Sequence, residues 1–155
     1  AWGQRADGLP LATKEDALVL ASIIEKETGQ ADERGLVASV FVNRLNQGMP
    51  LQTDPAVIYG LTLGKKSLGR GLRKSELDED TPWNTYVNKG LPKTPIANPG
   101  SKSILAALSP TESNFLFFVA NGTGGHAFAV TYEEHLRNVA EWRKIEKEIK
   151  SAISD

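Results

Sequence analysis

Glu27 is the acidic residue whose position best suits acid–base chemistry. Between Glu15 and Thr28, apolar residues recur at spacings of three and four, which predicts an amphipathic helix. At about 100° per residue, Glu27 falls between Ile23 and Leu20, inside the apolar stripe of that helix. Burial disfavours the charged form of a carboxyl, so its pKa should rise and part of it should stay protonated near neutrality. A carboxyl of this kind can act as a general acid.

Glu27 also fits a purely structural role. It lies in the last turn of the predicted helix, where it could accept bonds from backbone N–H groups or pair with Arg34 or Arg44. Structural networks shift pKa values as well, and periodicity alone favours the structural reading.

A second group of polar side chains lies around a stretch rich in proline and glycine. It combines flat aromatic rings with amide and hydroxyl groups: Gln52, Thr53, Asp54, Trp83, Asn84, Thr85, Tyr86, Asn88 and Asn98. Sugars suit this mixture, because their ring faces stack on aromatics and their hydroxyls need paired donors and acceptors. Single members have structural readings, since Asp54 could cap a helix, Asn98 could start a turn and Trp83 could lie in the core. The combination predicts a carbohydrate site.

The composition excludes several other chemistries. With 155 residues, 40% hydrophobic and 24% charged, the chain fits one globular domain. The absence of cysteine removes disulfides, thiolate zinc sites and thiol nucleophiles. A net charge of −1 provides no positive field that would steer the chain to nucleic acid or an anionic membrane. The two histidines, His126 and His135, lack the spacing of a zinc helix, so we expect no metal and no cofactor.

Two helices should position Glu27. The first spans Glu15 to Thr28, and the second begins at Asp32 as N-cap and continues through Leu45, with Gly48 as a left-handed C-cap. Together they predict an αα-hairpin.

An irregular region should follow a short third helix. Asp54-Pro55 is the favoured order for an N-cap and a first-turn proline, which predicts a helix over residues 56–59. Residues 60–101 carry most of the glycines and prolines, which predicts a functional loop region on the surface. Its basic stretch, residues 65–74, is largely cancelled by the acidic residues 76–80, which argues against nucleic-acid binding.

The last third of the chain predicts a helix, a hairpin and a final helix. Ser101 to Leu108 has a helical pattern, and residues 115–120 and 126–130 predict two strands joined by a glycine-rich turn. Thr131 and Glu134 predict a capping box that opens a helix whose apolar stripe comprises Val139, Trp142, Ile145 and Ile149.

These elements predict an α+β fold, with helices around a cleft and a small antiparallel sheet that includes the hairpin at about 115–130. Two strands alone are marginal, so we expect a third strand from near Leu51 or Tyr86. His126 should close the groove, and His135 should be a solvated residue of the last helix.

Ordered blocks along the chain resemble a known family. Three long blocks are Leu20–Thr28, Val37–Leu45 and Leu51–Gly60, and shorter ones lie at 84–86, 90–92, 95–100, 117–122 and 124–126. Together they resemble the endolytic murein transglycosylase family, also called YceG-like or MltG. The resemblance covers nearly the whole chain, with departures at Trp83 and Lys93 in the groove.

The resemblance implies that residues 1–155 form a bacterial lytic transglycosylase domain. Such domains normally follow an N-terminal membrane anchor and a LysM-like domain, and this chain starts without Met, so we expect a piece of a longer protein on the periplasmic face of the inner membrane. Family members cut nascent peptidoglycan strands between N-acetylmuramic acid and N-acetylglucosamine and leave 1,6-anhydro ends, with peptidoglycan synthases as expected partners. The family's catalytic glutamate matches Glu27.

One carboxyl then acts first as acid and then as base, without a cofactor. The residues assigned to substrate binding are Gln52, Thr53, Asp54, Asn84, Tyr86, Asn98 and His126. Two alternatives stay open: a muramidase that uses Asp54 as second carboxylate, and a non-catalytic peptidoglycan-binding module.

Overall fold

Six α-helices and one β-hairpin form the part of the chain that the computed structural model describes, residues 1–154. After a short 3-10 turn at Trp2–Gln4, the elements are α1 (Lys14–Glu27), α2 (Arg34–Gln47), α3 (Asp54–Thr62), α4 (Lys74–Leu77), α5 (Ser101–Leu108), β1 (Phe117–Ala120), β2 (His126–Ala129) and α6 (Tyr132–Ser154). The α+β fold predicted from the sequence is confirmed.

Helix α1 is the central element of the core. A capping box between Thr13 and Asp16 fixes its start, because the Thr13 hydroxyl accepts from the Asp16 amide at 3.1 Å and the Asp16 carboxylate accepts from the Thr13 amide at 3.3 Å. The apolar side chains of residues 20–24 have no solvent exposure, since α1 packs against α2, α3 and α5. Burial of each large side chain stabilises the fold by roughly 1.5–3 kcal/mol. Glu27 is the last residue of α1, so the packing of this helix fixes its position.

Two of the three predicted N-caps are each wrong by one residue, whereas Thr131 directly precedes α6 and accepts from the Glu134 amide at 3.2 Å, as predicted. Helix α2 begins after Glu33 rather than Asp32, and α3 begins after Thr53 rather than Asp54. Neither Glu33 nor Thr53 forms a side-chain cap, because both side chains bond elsewhere, as described below. The predicted left-handed C-cap at Gly48 is confirmed by its φ of 68°.

The hairpin forms a two-stranded antiparallel sheet in which Phe117 pairs with Ala129 and Ala120 pairs with His126. The prediction of a third strand is wrong, because the described residues form only these two strands. The segments proposed for it bond to one another instead, since Gln52 N donates to Thr85 O at 3.2 Å. Helix α6 contacts both strands and supplies the packing that a third strand would have provided.

The long region between α3 and α5 is irregular except for α4, as predicted, but part of it is buried. Asn84 and Thr85 are each 1% exposed and Ile96 is 6% exposed. The amide of Ile96 donates to Ser22 Oγ at 3.0 Å, which ties the region to α1. None of the helices described in residues 1–154 combines the length and the hydropathy that a membrane span requires.

Candidate active site

Glu27 accepts one hydrogen bond from a neutral donor. Thr53 Oγ1 donates to Glu27 Oε1 at 2.7 Å, and Thr53 itself is buried. Among the described residues, no cation forms an ion pair with Glu27. Arg44, a candidate partner from the sequence, instead donates to the backbone oxygens of Leu116 and Pro50 at 2.7 and 2.8 Å. Within residues 1–154, Glu27 therefore has no ion-pair partner.

The surroundings of Glu27 raise its pKa above the ordinary value. Burial is the largest cause, and the negative charge of Asp54 acts in the same direction. The Thr53 hydrogen bond and the His126 side chain act against them without reversing the shift. A carboxyl in this state holds a proton more readily than one in water, which is the property a general acid needs.

The pKa of Glu25, two residues earlier, is shifted in the opposite direction. Its Oε1 accepts from Gly100 N at 2.7 Å and from Ser103 Oγ at 3.1 Å, at the start of α5. These bonds, led by that of Gly100, lower the pKa of Glu25. The carboxylate therefore stabilises the N-terminus of α5, where its negative charge is favourable.

Glu27 faces a cleft of about 300 Å³. The polar residues of its lining are Glu27, Arg44, Gln52, Asp54, Tyr86 and His135, and the others are Val40, Phe41, Leu51, Pro55, Phe117, Phe118, Val119 and Val139. The structure thus brings three of the predicted binding residues, Gln52, Asp54 and Tyr86, into one cleft with Glu27.

Tyr86 and Asp54 form a close pair in this cleft. The Tyr86 hydroxyl donates to Asp54 Oδ1 at 2.5 Å. Burial, followed by this bond, raises the pKa of Tyr86 above its ordinary value, so the phenol keeps its proton. Gln52 lies beside them with a left-handed backbone (φ 51°), which is uncommon for a residue with a side chain and is held by its bond to Thr85.

Asn84 is placed behind the cleft rather than in its lining. Its Nδ2 donates to the backbone oxygens of Leu77 and Glu79 at 3.0 and 2.7 Å, while its Oδ1 accepts from Tyr86 N at 2.9 Å. With the side chain buried and occupied, Asn84 holds the turn that carries Tyr86. Asn98 is exposed and lies outside the lining of the cleft.

A second cavity of about 300 Å³ lies on another side of Glu27. It is lined by the glycine-rich turn of the hairpin, His126 and two residues of α6, Trp142 and Ile149. Glu33 holds His126 here, because its Oε2 lies 2.7 Å from His126 Nδ1 and its Oε1 accepts from His126 N at 2.8 Å. Sequence reasoning missed Glu33. The only signal was an acidic residue beside the predicted start of α2, and we considered that segment only for helix capping.

The expectation that His135 is solvated is wrong. His135 lies in the cleft lining and stacks on Phe117, with ring centroids 4.9 Å apart. Burial, and then the charge of Arg44, lower the pKa of His135, which favours the neutral ring. The buried Nδ1 has no hydrogen-bond partner among the residues described. The spacing of His135 from Val139 and Trp142 already placed it on the apolar stripe of α6.

No group of three or more residues that could ligate a metal occurs in the described part of the chain.

Comparison with known proteins points to one family. A sequence model of the YceG-like family matches residues 2–141. A Bacillus subtilis (strain 168) protein named endolytic murein transglycosylase is 46% identical over 118 residues, which is 76% of this chain and 32% of that protein. A Streptococcus pneumoniae protein of the same name is 38% identical over 135 residues, which is 83% of this chain and 24% of that protein.

A solved structure agrees with these sequence matches. The 2.6 Å crystal structure of a yceG-like protein from Listeria monocytogenes is 43% identical, with a TM-score of 0.70, and the match covers 79% of this chain and 38% of that one. This chain spans about a third or a quarter of the length of the curated relatives that it matches.

Proposed function

Because the chain belongs to the YceG-like family, we propose that it is a lytic transglycosylase that cuts peptidoglycan strands internally, with Glu27 as the catalytic acid and base. The observation that supports this role most directly is the state of Glu27: a desolvated carboxyl in a cleft, bound by one hydroxyl and paired with no cation among the residues described. The curated names of the relatives supply the substrate and the reaction class.

The first step is proton donation to the glycosidic oxygen. Thr53 occupies Glu27 Oε1, which leaves Oε2 to carry the proton that is transferred. As the bond between N-acetylmuramic acid and N-acetylglucosamine breaks, the 2-acetamido carbonyl of the muramic residue bonds to C1 and forms an oxazolinium-like intermediate. Glu27 is then a carboxylate and can act as a base.

The second step closes a ring within the same sugar. The Glu27 carboxylate takes the proton of the C6 hydroxyl, whose oxygen attacks C1 and displaces the acetamido oxygen. A 1,6-anhydro end results, and Glu27 regains its proton. The nucleophile is already attached to the sugar, so the step has the high effective molarity of an intramolecular reaction and needs no second carboxylate.

The other cleft residues bind and orient the strand. Tyr86 keeps its phenol proton and is held by Asp54, which suits it to contact the acetamido group or a sugar hydroxyl. Gln52 contributes an exposed amide to the same cleft. We assign His126 to the second cavity, where the strand would continue past Glu27, and Asn84 to the positioning of Tyr86.

One observation favours a second candidate, hydrolysis by a muramidase. Asp54 lies in the same cleft as Glu27, and its charge contributes to the raised pKa of Glu27. A second carboxylate in such a position can activate water or stabilise the developing positive charge, as in two-carboxylate glycosidases.

Product masses distinguish the two reactions. Uncrosslinked glycan strands are digested with the wild-type chain and with Glu27→Gln, and the new ends are analysed by mass spectrometry. A transglycosylase leaves anhydro ends, whereas a muramidase leaves reducing ends that are heavier by one water. Reducing ends alone would overturn the transglycosylase proposal. No product from the wild type would favour a non-catalytic binding module, and equal cleavage by wild type and Glu27→Gln would remove Glu27 from the mechanism.

The proposed substrate also indicates a place of action. Peptidoglycan lies outside the cytoplasmic membrane, so we propose that the chain acts on the extracytoplasmic side, as part of a longer protein whose anchor holds it at the inner membrane. Cutting nascent strands there would set their length close to peptidoglycan synthases, which are the proposed partners.

A further inference from the structure

A third cavity, of about 630 Å³, adjoins the cleft across Pro55, which lines both. Lys26 also lines this cavity and directly precedes Glu27, so the two Cα atoms lie about 3.8 Å apart. We call it the Lys26 cavity; its lining residues are Lys26, Pro55, Ile58, Tyr59, Thr62, Gly64, Lys66, Ser67, Leu68, Gly69, Arg70 and Ile96. Its volume is in the range of ligand-binding pockets.

The lining of the Lys26 cavity carries positive charge. It contains Lys26, Lys66 and Arg70 and no Asp or Glu. Arg70 is neutralised, because its Nη1 and Nη2 donate to the two carboxylate oxygens of Glu76 at 2.7 and 2.8 Å. Neither lysine has an ion pair among the residues that the structure describes. Two exposed lysines without an ion pair among the described residues therefore share this lining with the apolar side chains of Ile58, Tyr59 and Leu68.

We propose that the Lys26 cavity binds the anionic stem peptide of the muramic residue beside the cleaved bond. This inference rests on the proposed function, because it assigns a second part of the same substrate. A stem peptide leaves the sugar through the lactyl group at C3, so it must be accommodated next to the cleft. It carries carboxylates, which ammonium groups bind through charge-assisted hydrogen bonds, and short aliphatic side chains, which suit the apolar wall.

The alternative ligand with the same charge is an anionic lipid surface. The neighbouring cations argue against it, since Arg70 pairs with Glu76 and Lys74 pairs with Asp78 at 2.9 Å. These two ion pairs reduce the positive charge that this face would offer to a bilayer. A concave site beside the cleft fits a branch of the glycan better than a flat membrane.

The test compares strands with and without their peptides. One sample of uncrosslinked glycan keeps its stem peptides, and an amidase removes them from the other. The variant Lys26→Gln/Lys66→Gln should lose about three- to tenfold in kcat/KM on peptide-bearing strands and keep the wild-type value on peptide-free strands. The matched control Lys14→Gln/Lys147→Gln changes two exposed lysines outside all three cavities and should leave both values unchanged.

Equal losses on both substrates, or no loss on peptide-bearing strands, would overturn the inference. A binding experiment distinguishes failure of this inference from failure of the proposed function. The Glu27→Gln chain should bind a synthetic muramyl tetrasaccharide more tightly with its stem peptides than without them, and the two lysine changes should abolish that difference even if the wild type cuts neither strand. If instead they weaken binding to phosphatidylglycerol vesicles and leave the peptide preference intact, the cavity binds lipid and the inference is wrong.

Discussion

Glu25 and Glu27 lie in the last turn of α1, and the fold shifts their pKa values in opposite directions. Glu25 accepts hydrogen bonds at the start of α5, which lower its pKa, while burial raises that of Glu27. Within three residues, α1 therefore carries a structural carboxylate at Glu25 and the proposed reactive carboxyl at Glu27.

The first prediction compares Glu27, the proposed reaction centre, with Glu25 as its control. Glu27→Gln cannot donate or accept the proton, so turnover of glycan strands should fall by at least about 10²-fold. Glu25→Gln should keep turnover within about twofold, since its carboxylate contacts only the start of α5, and should lower the melting temperature. Turnover and thermal unfolding of both variants check this. Near-equal activity of the two variants would remove Glu27 from the mechanism.

The second prediction concerns stability. Because the folded state raises the pKa of Glu27, it disfavours the carboxylate, and this costs free energy of folding once the pH exceeds the unfolded-state value of 4.5. Glu27→Gln removes the cost. The variant should therefore be more stable than the wild type at neutral pH, with the advantage shrinking as the pH falls toward 4.5. Urea unfolding at a series of pH values measures the difference, and a variant less stable than the wild type at neutral pH would contradict it.

The third prediction is a shift in the pH–activity profile. The Thr53 hydroxyl stabilises the ionised form of Glu27, so Thr53→Val should raise the pKa of Glu27 further. The part of the kcat/KM profile that reports this group should then move to higher pH. Thr131→Val, which loses the bond from the Glu134 amide at the start of α6, is the control and should not move it. A profile that is unshifted, or shifted to lower pH, would show that Thr53 does not influence the reactive proton.

The fourth prediction tests whether the contact of Glu33 with His126 matters for turnover. A Cβ at Gly125 would lie 2.6 Å from Glu33 Oε1, so Gly125→Ala should push Glu33 away from His126. Turnover should fall about tenfold or more, because a small displacement in a site is costly. Gly71→Ala has open space around its Cβ and serves as the control. Since Glu33→Gln weakens the same contact without a clash, it should reduce turnover as well; wild-type turnover in both variants would exclude the pair from function.

The fifth prediction concerns His135. Its pKa is lowered in the folded state, so between that value and 6.5 the unfolded chain binds more protons than the folded one. The stability contributed by neutral His135 is full above pH 6.5 and is lost as the pH falls. His135→Phe, which keeps the stacking on Phe117, should make the unfolding free energy less dependent on pH below 6.5. An unchanged pH dependence in this variant would contradict a half-buried neutral ring at this position.

Local patterns predicted much of this molecule. Periodicity placed α1 within one residue at each end and positioned Glu27 on its apolar stripe, and the hairpin followed from aromatic runs around a glycine-rich turn. These features depend on residues close in sequence, whose spacing reports directly on the element.

The errors came from contacts between distant segments. Glu33 and Thr53 occupy cap positions, yet their side chains bond to His126 and Glu27 and leave both helices without a side-chain cap. The expected third strand failed for a related reason, because α6 covers the hairpin and the Gln52 segment pairs with Thr85. Local rules give way where a side chain is needed at the site.

The two cavities beside Glu27 are both open to solvent, and Glu27 belongs to the lining of each. An open trough of this form, unlike a tunnel, requires no free chain end. A long glycan could settle sideways onto Glu27 at any interior sugar, and after one cut both fragments could leave laterally. Under the proposed function, each cut would then fall at an interior bond and leave two shorter strands, instead of trimming a strand from its terminus.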